Sequence, residues 1–282
     1  MIEINKKGVV TTITAPLVRK KDWEYWVLVS GDRHLDNPKS DRKLAIKHLD
    51  QLKERNGILI DIGDLFCVMQ GKFDPRSYKP DVLEENRVGD YLGSVVRGAV
   101  DFFEPYKDNI AVIGTGNHES AILKRSEFDL TQALIDRLND KGSPCVNGGY
   151  RGWIKFKFTD GKVRLPINFY YTHGSGGGGP VTRGVINTNR MAAYLSNADI
   201  VASGHIHESW QVIVPRIELT QGGEERQHEQ LHFVTATYKQ EFTGAGGGYH
   251  HEKGRPPKPL GAQWIRFYFA DDQVKYETMR AA

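Results

Sequence analysis

The chain has 282 residues, 39% of them hydrophobic and 26% charged, with a formal net charge of +3. That balance is ordinary for a soluble globular protein, and it neither marks a nucleic-acid footprint nor rules out a local basic patch. Two cysteines, Cys67 and Cys145, are too few for a disulfide framework and read as reduced, buried thiols. The opening "MIEINKKGVVTTITAP" has no apolar core of leader length, and no later run is long enough to span a bilayer. The expected location is therefore cytoplasmic, with no membrane partner.

In chain order, short β-branched apolar runs alternate with amphipathic stretches. "WVLVS" at 26–30 runs into "GDRHLD" and "GILIDIG" at 57–63 into "DLF". "NIAVIGTG" at 109–116 runs into "NHE", "INFYYTHG" at 167–174 into a glycine run, and "ADIVASG" at 198–204 into "HIH". Their brevity and the glycines that follow predict buried strands. Helices are predicted between them. One is marked by Leu44, His48 and Leu52 behind Ser40 or Asp41 as N-cap, one by Val88, Tyr91, Leu92, Val95, Val96, Ala99 and Phe103, and one by Leu130, Leu134 and Leu138. Hairpins are predicted where "WIKFKF" meets "TDGK" and where "QWIRFYF" and "VKYETM" flank "ADDQ"; "SWQVIVPRIEL" and "LHFVTATY" read as further strands. No repeat or linker divides the chain, so a single domain over 1–282 is expected, with long loops near 66–86, 174–186 and 240–262.

Each of the five apolar runs is followed at once by residues that bind metals: Asp32 and His34, then Asp64, Asn117, His173, and finally His205 with His207. In open α/β sheets, ligands collect beyond the carboxyl ends of strands. A lone Asp there is usually a turn former and a lone His a structural residue. Seven such side chains at five successive strand ends are hard to obtain by accident. They are too many for one ion, and a structural zinc site would favour cysteine. Mixed carboxylate, amide and imidazole suit two divalent ions such as Mn²⁺, Fe²⁺ or Zn²⁺. If one carboxylate bridges, each ion has about four protein ligands and room for water.

The ordered set D-x-H, G-D, G-N-H-E, H and G-H-x-H between Asp32 and His207 resembles the signature of the calcineurin-like metallophosphoesterases. The resemblance implies an α/β (α+β) fold, a four-layer sandwich of two mixed β-sheets flanked by helices. It implies two divalent metal ions, Mn²⁺ first, with Fe²⁺, Zn²⁺ or Ni²⁺ as the other candidates. One is assigned to Asp32, His34 and His207 and the other to Asn117, His173 and His205, with Asp64 bridging. It implies attack by a hydroxide bridging the two ions, and a catalytic His118 that assists the leaving oxygen. On an extended segment Asn117 and His118 point opposite ways. Glu119 is then expected to orient the His118 ring, or to serve as a first-turn helix residue favoured by the macrodipole.

The substrate is read from flanking residues. "GDLFCVMQG" and "GTGNHE" lack the phosphate-gripping arginines of the protein Ser/Thr phosphatases, whereas "DRHLD" and "GDLF" look more like the DNA-repair nucleases. Arg183 and Arg190 follow the glycine run and are candidate phosphate contacts; an exposed surface arginine is the plainer reading of each. Tyr249, His251 and Arg255, with His250, Lys253 and Lys258, place an aromatic among cations, as suits a nucleotide, or form a solvated basic loop. Lys72, Arg76, Tyr78 and Lys79 are placed to wall the same cleft. The expected partner is a phosphodiester of DNA or nucleotide type. The alternatives are a phosphomonoester of a small molecule or phosphoprotein, or a non-catalytic interaction module of the same fold.

Overall fold

The structure, a computed structural model, describes residues 2–68, 78–179, 181–220, 222–242, 254 and 256–281. Among the described residues, thirteen strands fall into two mixed sheets. The six-stranded sheet takes β3 (Glu24–Ser30), β4 (Ile58–Asp61), β5 (Ile110–Gly114), β6 (Val146–Gly149), β12 (Ala262–Ala270) and β13 (Gln273–Ala281), in the order β13-β12-β3-β4-β5-β6. Its β3 to β6 half is parallel, and β12 and β13 close it antiparallel. The seven-stranded sheet takes β1 (Glu3–Lys7), β2 (Val10–Pro16), β7 (Arg151–Thr159), β8 (Arg164–Thr172), β9 (Ile200–Ser203), β10 (Trp210–Leu219) and β11 (Glu225–Val234), in the order β1-β2-β7-β8-β9-β11-β10.

Strand periodicity decides how these sheets are covered. Successive side chains point to opposite faces, so Tyr25, Val27 and Val29 of β3 meet Phe156, Phe158, Phe169 and Phe233 in a core between the sheets. Leu28 faces the other way, into a second core. There it packs with Ala45, Leu49 and Leu52 of α1 (Arg42–Glu54), with Val95, Val96, Ala99 and Phe103 of α2 (Tyr91–Phe103), and with Leu130, Leu134 and Leu138 of α4 (Leu130–Asp140). The outer face of the other sheet is covered by α5 (Val185–Tyr194), whose Met191 packs with Tyr170 and Val201. The result is the four-layer arrangement of two mixed sheets flanked by helices.

The three predicted helices are α1, α2 and α4, and Asp41 caps α1 by accepting from the Leu44 amide at 3.0 Å. Both predicted hairpins form, and Asp271 and Asp272 take φ of 51° and 57° in the two-residue turn between β12 and β13. Residues 3–16, 146–149 and 185–194, where no local pattern predicts an element, form β1, β2, β6 and α5. The loop expected over 174–186 ends where α5 begins at Val185. Among the described residues, no helix is long and apolar enough to cross a membrane.

One buried imidazole outside the strand-end cluster is expected to make the fold pH-sensitive. His232 of β11 is buried, and burial, with Arg216 adding to it, lowers its pKa to about 4. An unfolded imidazole titrates near ~6.5, so the neutral buried form stabilises the fold above that pH and the contribution is lost as pH falls towards about 4. Thermal melts of the His232→Gln variant are expected to lose Tm less steeply across this window than those of the parent. An unchanged slope would contradict the assignment.

Candidate metal centre

The metal-binding candidates gather because two pairs of strand ends meet in backbone contact. Beyond β3, the Asp32 and His34 amides donate to the Gly63 and Asp64 carbonyls at 2.9 and 3.1 Å, so the two loops run on as a ladder past the sheet. Gly63 has φ of 107°, and a Cβ there would lie 2.4 Å from the Gly116 nitrogen. A Cβ on Gly116 would lie 2.1 Å from Asp64 Oδ1. The glycines of "GD" and "GNH" are thus required by contact between the loops that follow β4 and β5.

Five of the seven candidate ligands hold left-handed backbone: Asp32 (φ 53°), His34 (48°), Asp64 (51°), His205 (70°) and His207 (54°). Non-glycine residues there are uncommon and cost on the order of 1–3 kcal/mol each, which clusters them at functional sites. The strain turns these side chains inward from strand ends.

Two groups result. In the first, ligand atoms of Asp32, His34 and His207 lie within 4.8 Å of one another. His207 Nε2 is 3.2 Å from Asp32 Oδ1, and the His34 and His207 ring centroids are 5.6 Å apart. In the second, Asp64, His173 and His205 meet the same 4.8 Å limit. His173 Nε2 lies 3.3 Å from Asp64 Oδ2 and 3.1 Å from Asn117 Oδ1. Asp32 Oδ2 accepts from the His205 amide at 2.9 Å and so ties the two groups together.

The chemistry of both groups fits a cation. His173 Nδ1 lies 3.2 Å from the Ile62 carbonyl, which only accepts, so Nδ1 carries a proton and Nε2 is the nitrogen turned towards the Asp64 and Asn117 oxygens. That contact needs positive charge, which either a proton on Nε2 or a metal ion supplies. Burial opposes charge on His173, yet Asp64, Asp32 and Glu119 push its pKa up to about 10. In the first group, burial holds His34 neutral, its pKa well below the usual imidazole range, with the nearby His118 and Lys239 charges adding to the effect. Both His34 ring nitrogens and Asp32 Oδ1 are buried without a hydrogen bond among the described residues. Such orphaned polar atoms are costly unless a ligand satisfies them.

Asn117 and His118 do not lie on an extended segment. They are the first two residues of α3 (Asn117–Ser126), and they diverge because helix neighbours sit ~100° apart. The His118 amide donates to Asp64 Oδ1 at 2.9 Å, and its Nε2 lies 3.8 Å from Asp64 Oδ2. Its Nδ1 is 2.6 Å from the Cys67 carbonyl, so Nδ1 is again the protonated nitrogen. Glu119 is accordingly not what orients that ring. Its buried carboxylate accepts from the Gly116 and Asp64 amides at 2.7 and 3.2 Å and from the Phe66 amide at 2.8 Å, as the first-turn reading expects. Burial, with the Asp64 charge adding to it, pushes its pKa up to about 8 against these amide donors.

The groups open onto a cleft of about 870 Å³ that His118 lines. Gly176, Gly177, Gly178 and Arg183 form one wall, and Lys239, Glu241, Lys258 and Glu208 contribute to another. Lys239 Nζ is 2.7 Å from Glu241 Oε1, and Lys258 pairs with Glu208. Arg190 is not in this wall: α5 carries it to a separate cavity of about 300 Å³ behind the glycine run, beside Asn187 and Tyr194. Tyr249, His251 and Arg255 lie outside the described residues, as do Lys72 and Arg76. Lys239, Glu241 and the Cys67 carbonyl were not expected from the sequence, because none of them ends an apolar run.

The chain matches no protein-family model and no curated protein sequence. Among solved structures, a Vps29 single mutant from Entamoeba histolytica aligns at a TM-score of 0.37 and 12% identity, over 90% of this chain and 98% of that one. Vacuolar Protein Sorting 29 from Cryptosporidium parvum aligns at 0.35 and 13%, over 92% and 98%. A 5′-nucleotidase candidate from Staphylococcus aureus aligns at 0.47 and 13%, over 92% of this chain and 54% of that longer one.

Proposed function

We propose that this chain is a calcineurin-like metallophosphoesterase, working as one domain, that holds two divalent cations and hydrolyses a phosphodiester of nucleic-acid or nucleotide type. The observation that carries this reading is the pair of ligand groups at the floor of a cleft, with His118 above Asp64. Asp32, His34 and His207 would hold one ion, and Asn117, His173 and His205 the other, with Asp64 shared. When bound, two such ions generate a nucleophile from water near neutral pH and neutralise charge on the phosphoryl oxygens.

The chain's own residues do the rest. His118, anchored through Nδ1, presents Nε2 to the departing oxygen and, when protonated, hands it a proton. The cleft wall supports a diester. Among the described residues of the wall, Arg183, Lys239 and Lys258 are offset by Glu208 and Glu241, a surplus of one positive charge. A diester carries one negative charge and a monoester up to two.

The test is hydrolysis of bis-p-nitrophenyl phosphate against p-nitrophenyl phosphate by the Mn²⁺-loaded protein. A higher kcat/KM on the diester is expected. Preference for the monoester would overturn the diester reading. Inertness towards both would overturn the enzyme reading in favour of a non-catalytic module.

A further inference from the structure

We propose that Asp36 is a positioning residue for His118 and acts through the peptide group that joins Cys67 to Val68. The inference rests on the role assigned above to His118. Asp36 is 4% exposed. Its Oδ1 accepts from the Cys67 amide at 2.5 Å and its Oδ2 from the Val68 amide at 2.7 Å. The Val68 N–H and the Cys67 carbonyl belong to one peptide plane. At the other end of that plane, the carbonyl oxygen lies 2.6 Å from His118 Nδ1. The order is therefore carboxylate, peptide N–H, peptide C=O, imidazole N–H. Hydrogen bonds in such a chain polarise one another, so the grip of Asp36 on the Val68 amide makes the Cys67 carbonyl a better acceptor for His118.

Two further features point the same way. Val68 has φ of 47°, a left-handed conformation that a β-branched residue rarely takes. Such a backbone persists only where its surroundings over-determine it, and the two-amide grip of Asp36 does so. Among the described residues no basic side chain forms a salt bridge with Asp36, although the carboxylate is buried. Both of its oxygens serve the loop instead. Asn37 adds a second fastening, its Nδ2 lying 3.1 Å from Cys67 Sγ. The "DRHLD" stretch thus supplies two ligands through Asp32 and His34, and through its last residue the brace of the proton donor.

The experiment uses the Mn²⁺-loaded protein and two diesters, bis-p-nitrophenyl phosphate and diphenyl phosphate. p-Nitrophenolate departs without a proton, whereas phenolate departs more easily with one. Asp36→Ala is expected to lower kcat on diphenyl phosphate by about 10–100-fold, the usual range for a residue that orients a functional group. KM and metal content should hold, and the loss on bis-p-nitrophenyl phosphate should be small. In the Asp36→Ala/His118→Ala double variant the diphenyl phosphate rate should match that of His118→Ala alone, because the two residues act as one unit. Should Asp36→Ala fail to fold, Asp36→Asn keeps one amide acceptor and is expected to show the same selective loss. The proposal is overturned if both esters slow equally, if kcat on diphenyl phosphate stays at the parental value, or if the two losses multiply.

Nitrogen-15 NMR of the imidazoles separates this inference from the function it rests on. If the parent is inert on both esters, the enzyme reading falls. A His118 signal protonated at Nδ1 in the parent and exchanging between tautomers in Asp36→Asn would still uphold the brace, and an identical tautomer in both would sink it.

Discussion

The His118→Ala variant, loaded with Mn²⁺, is expected to hydrolyse diphenyl phosphate about 10²–10⁴-fold more slowly than the parent, the range for a lost general acid. Its metal content should be unchanged. The imidazole is not one of the atoms gathered in the two groups: Nδ1 is taken by the Cys67 carbonyl, and Nε2 stands 3.8 Å from Asp64 Oδ2, facing the cleft. What the substitution removes is a proton donor, so the loss should grow as the leaving oxygen becomes more basic and should be slight on bis-p-nitrophenyl phosphate. Steady-state rates on the two esters, with metal measured on the same samples, decide this. Full activity on diphenyl phosphate would remove His118 from the reaction, and loss of metal would make it a ligand.

The second large effect is on stability. Arg33 lies between the candidate ligands Asp32 and His34 but is itself fully buried, its Nε 2.9 Å from Asp61 Oδ2, with both side chains 0% exposed. Its guanidinium also donates to Ser30 Oγ and sits 4.6 Å from the centre of the Tyr238 ring. Asp61 accepts in turn from the Gly63 amide at 3.1 Å, so the pair is built into the turn that presents Asp64. Arg33→Met leaves Asp61 buried without its counter-charge, which costs about 3–5 kcal/mol. At ~2–4 °C of Tm per kcal/mol for a chain of this general size, the melt should drop by roughly 6–20 °C. Arg33→Met/Asp61→Leu removes both charges and should recover most of the loss. A single variant within about 1 kcal/mol of the parent would contradict the pair's role.

The parts of the fold legible in the sequence are those whose signal is local. Strands β3, β4 and β5 are buried on both faces, so they read as unbroken apolar runs, and α1, α2 and α4 carry one apolar stripe each. The candidate ligands were visible for the same reason, since each stands directly after such a run. The first turn of α3 was legible only at Glu119, which reads as a first-turn residue; Asn117 and His118 read as extended because this turn carries no apolar rhythm. Its one local sign is Glu119 reaching back to the Gly116 amide. The edge hairpin of β1 and β2 shows too little buried surface to announce itself; only Ile13, Ala15 and Thr11 of its residues are buried. Helix α5 has the mixed sequence "VINTNRMAAY" and covers the sheet with few side chains.

The rest of the site was illegible because tertiary contact creates it. Asp36 meets the Cys67 and Val68 amides across 31 and 32 residues of chain, and no spacing rule forecasts that. Lys239 and Glu241 reach the cleft from beyond β11, after the last apolar run. Arg190 shows the converse. It looked well placed after the glycine run, but the helical start at Val185 turned it to the far side.

Equilibrium dialysis of the purified chain against Mn²⁺, with bound metal counted per polypeptide, bears most directly on the convergence of Asp32, His34, Asp64, Asn117, His173, His205 and His207. Two ions per chain are expected for the parent and fewer than two for Asp64→Ala, which removes the carboxylate shared by both positions. A parent that retains no divalent ion, or an Asp64→Ala variant that binds two as tightly as the parent, would contradict it.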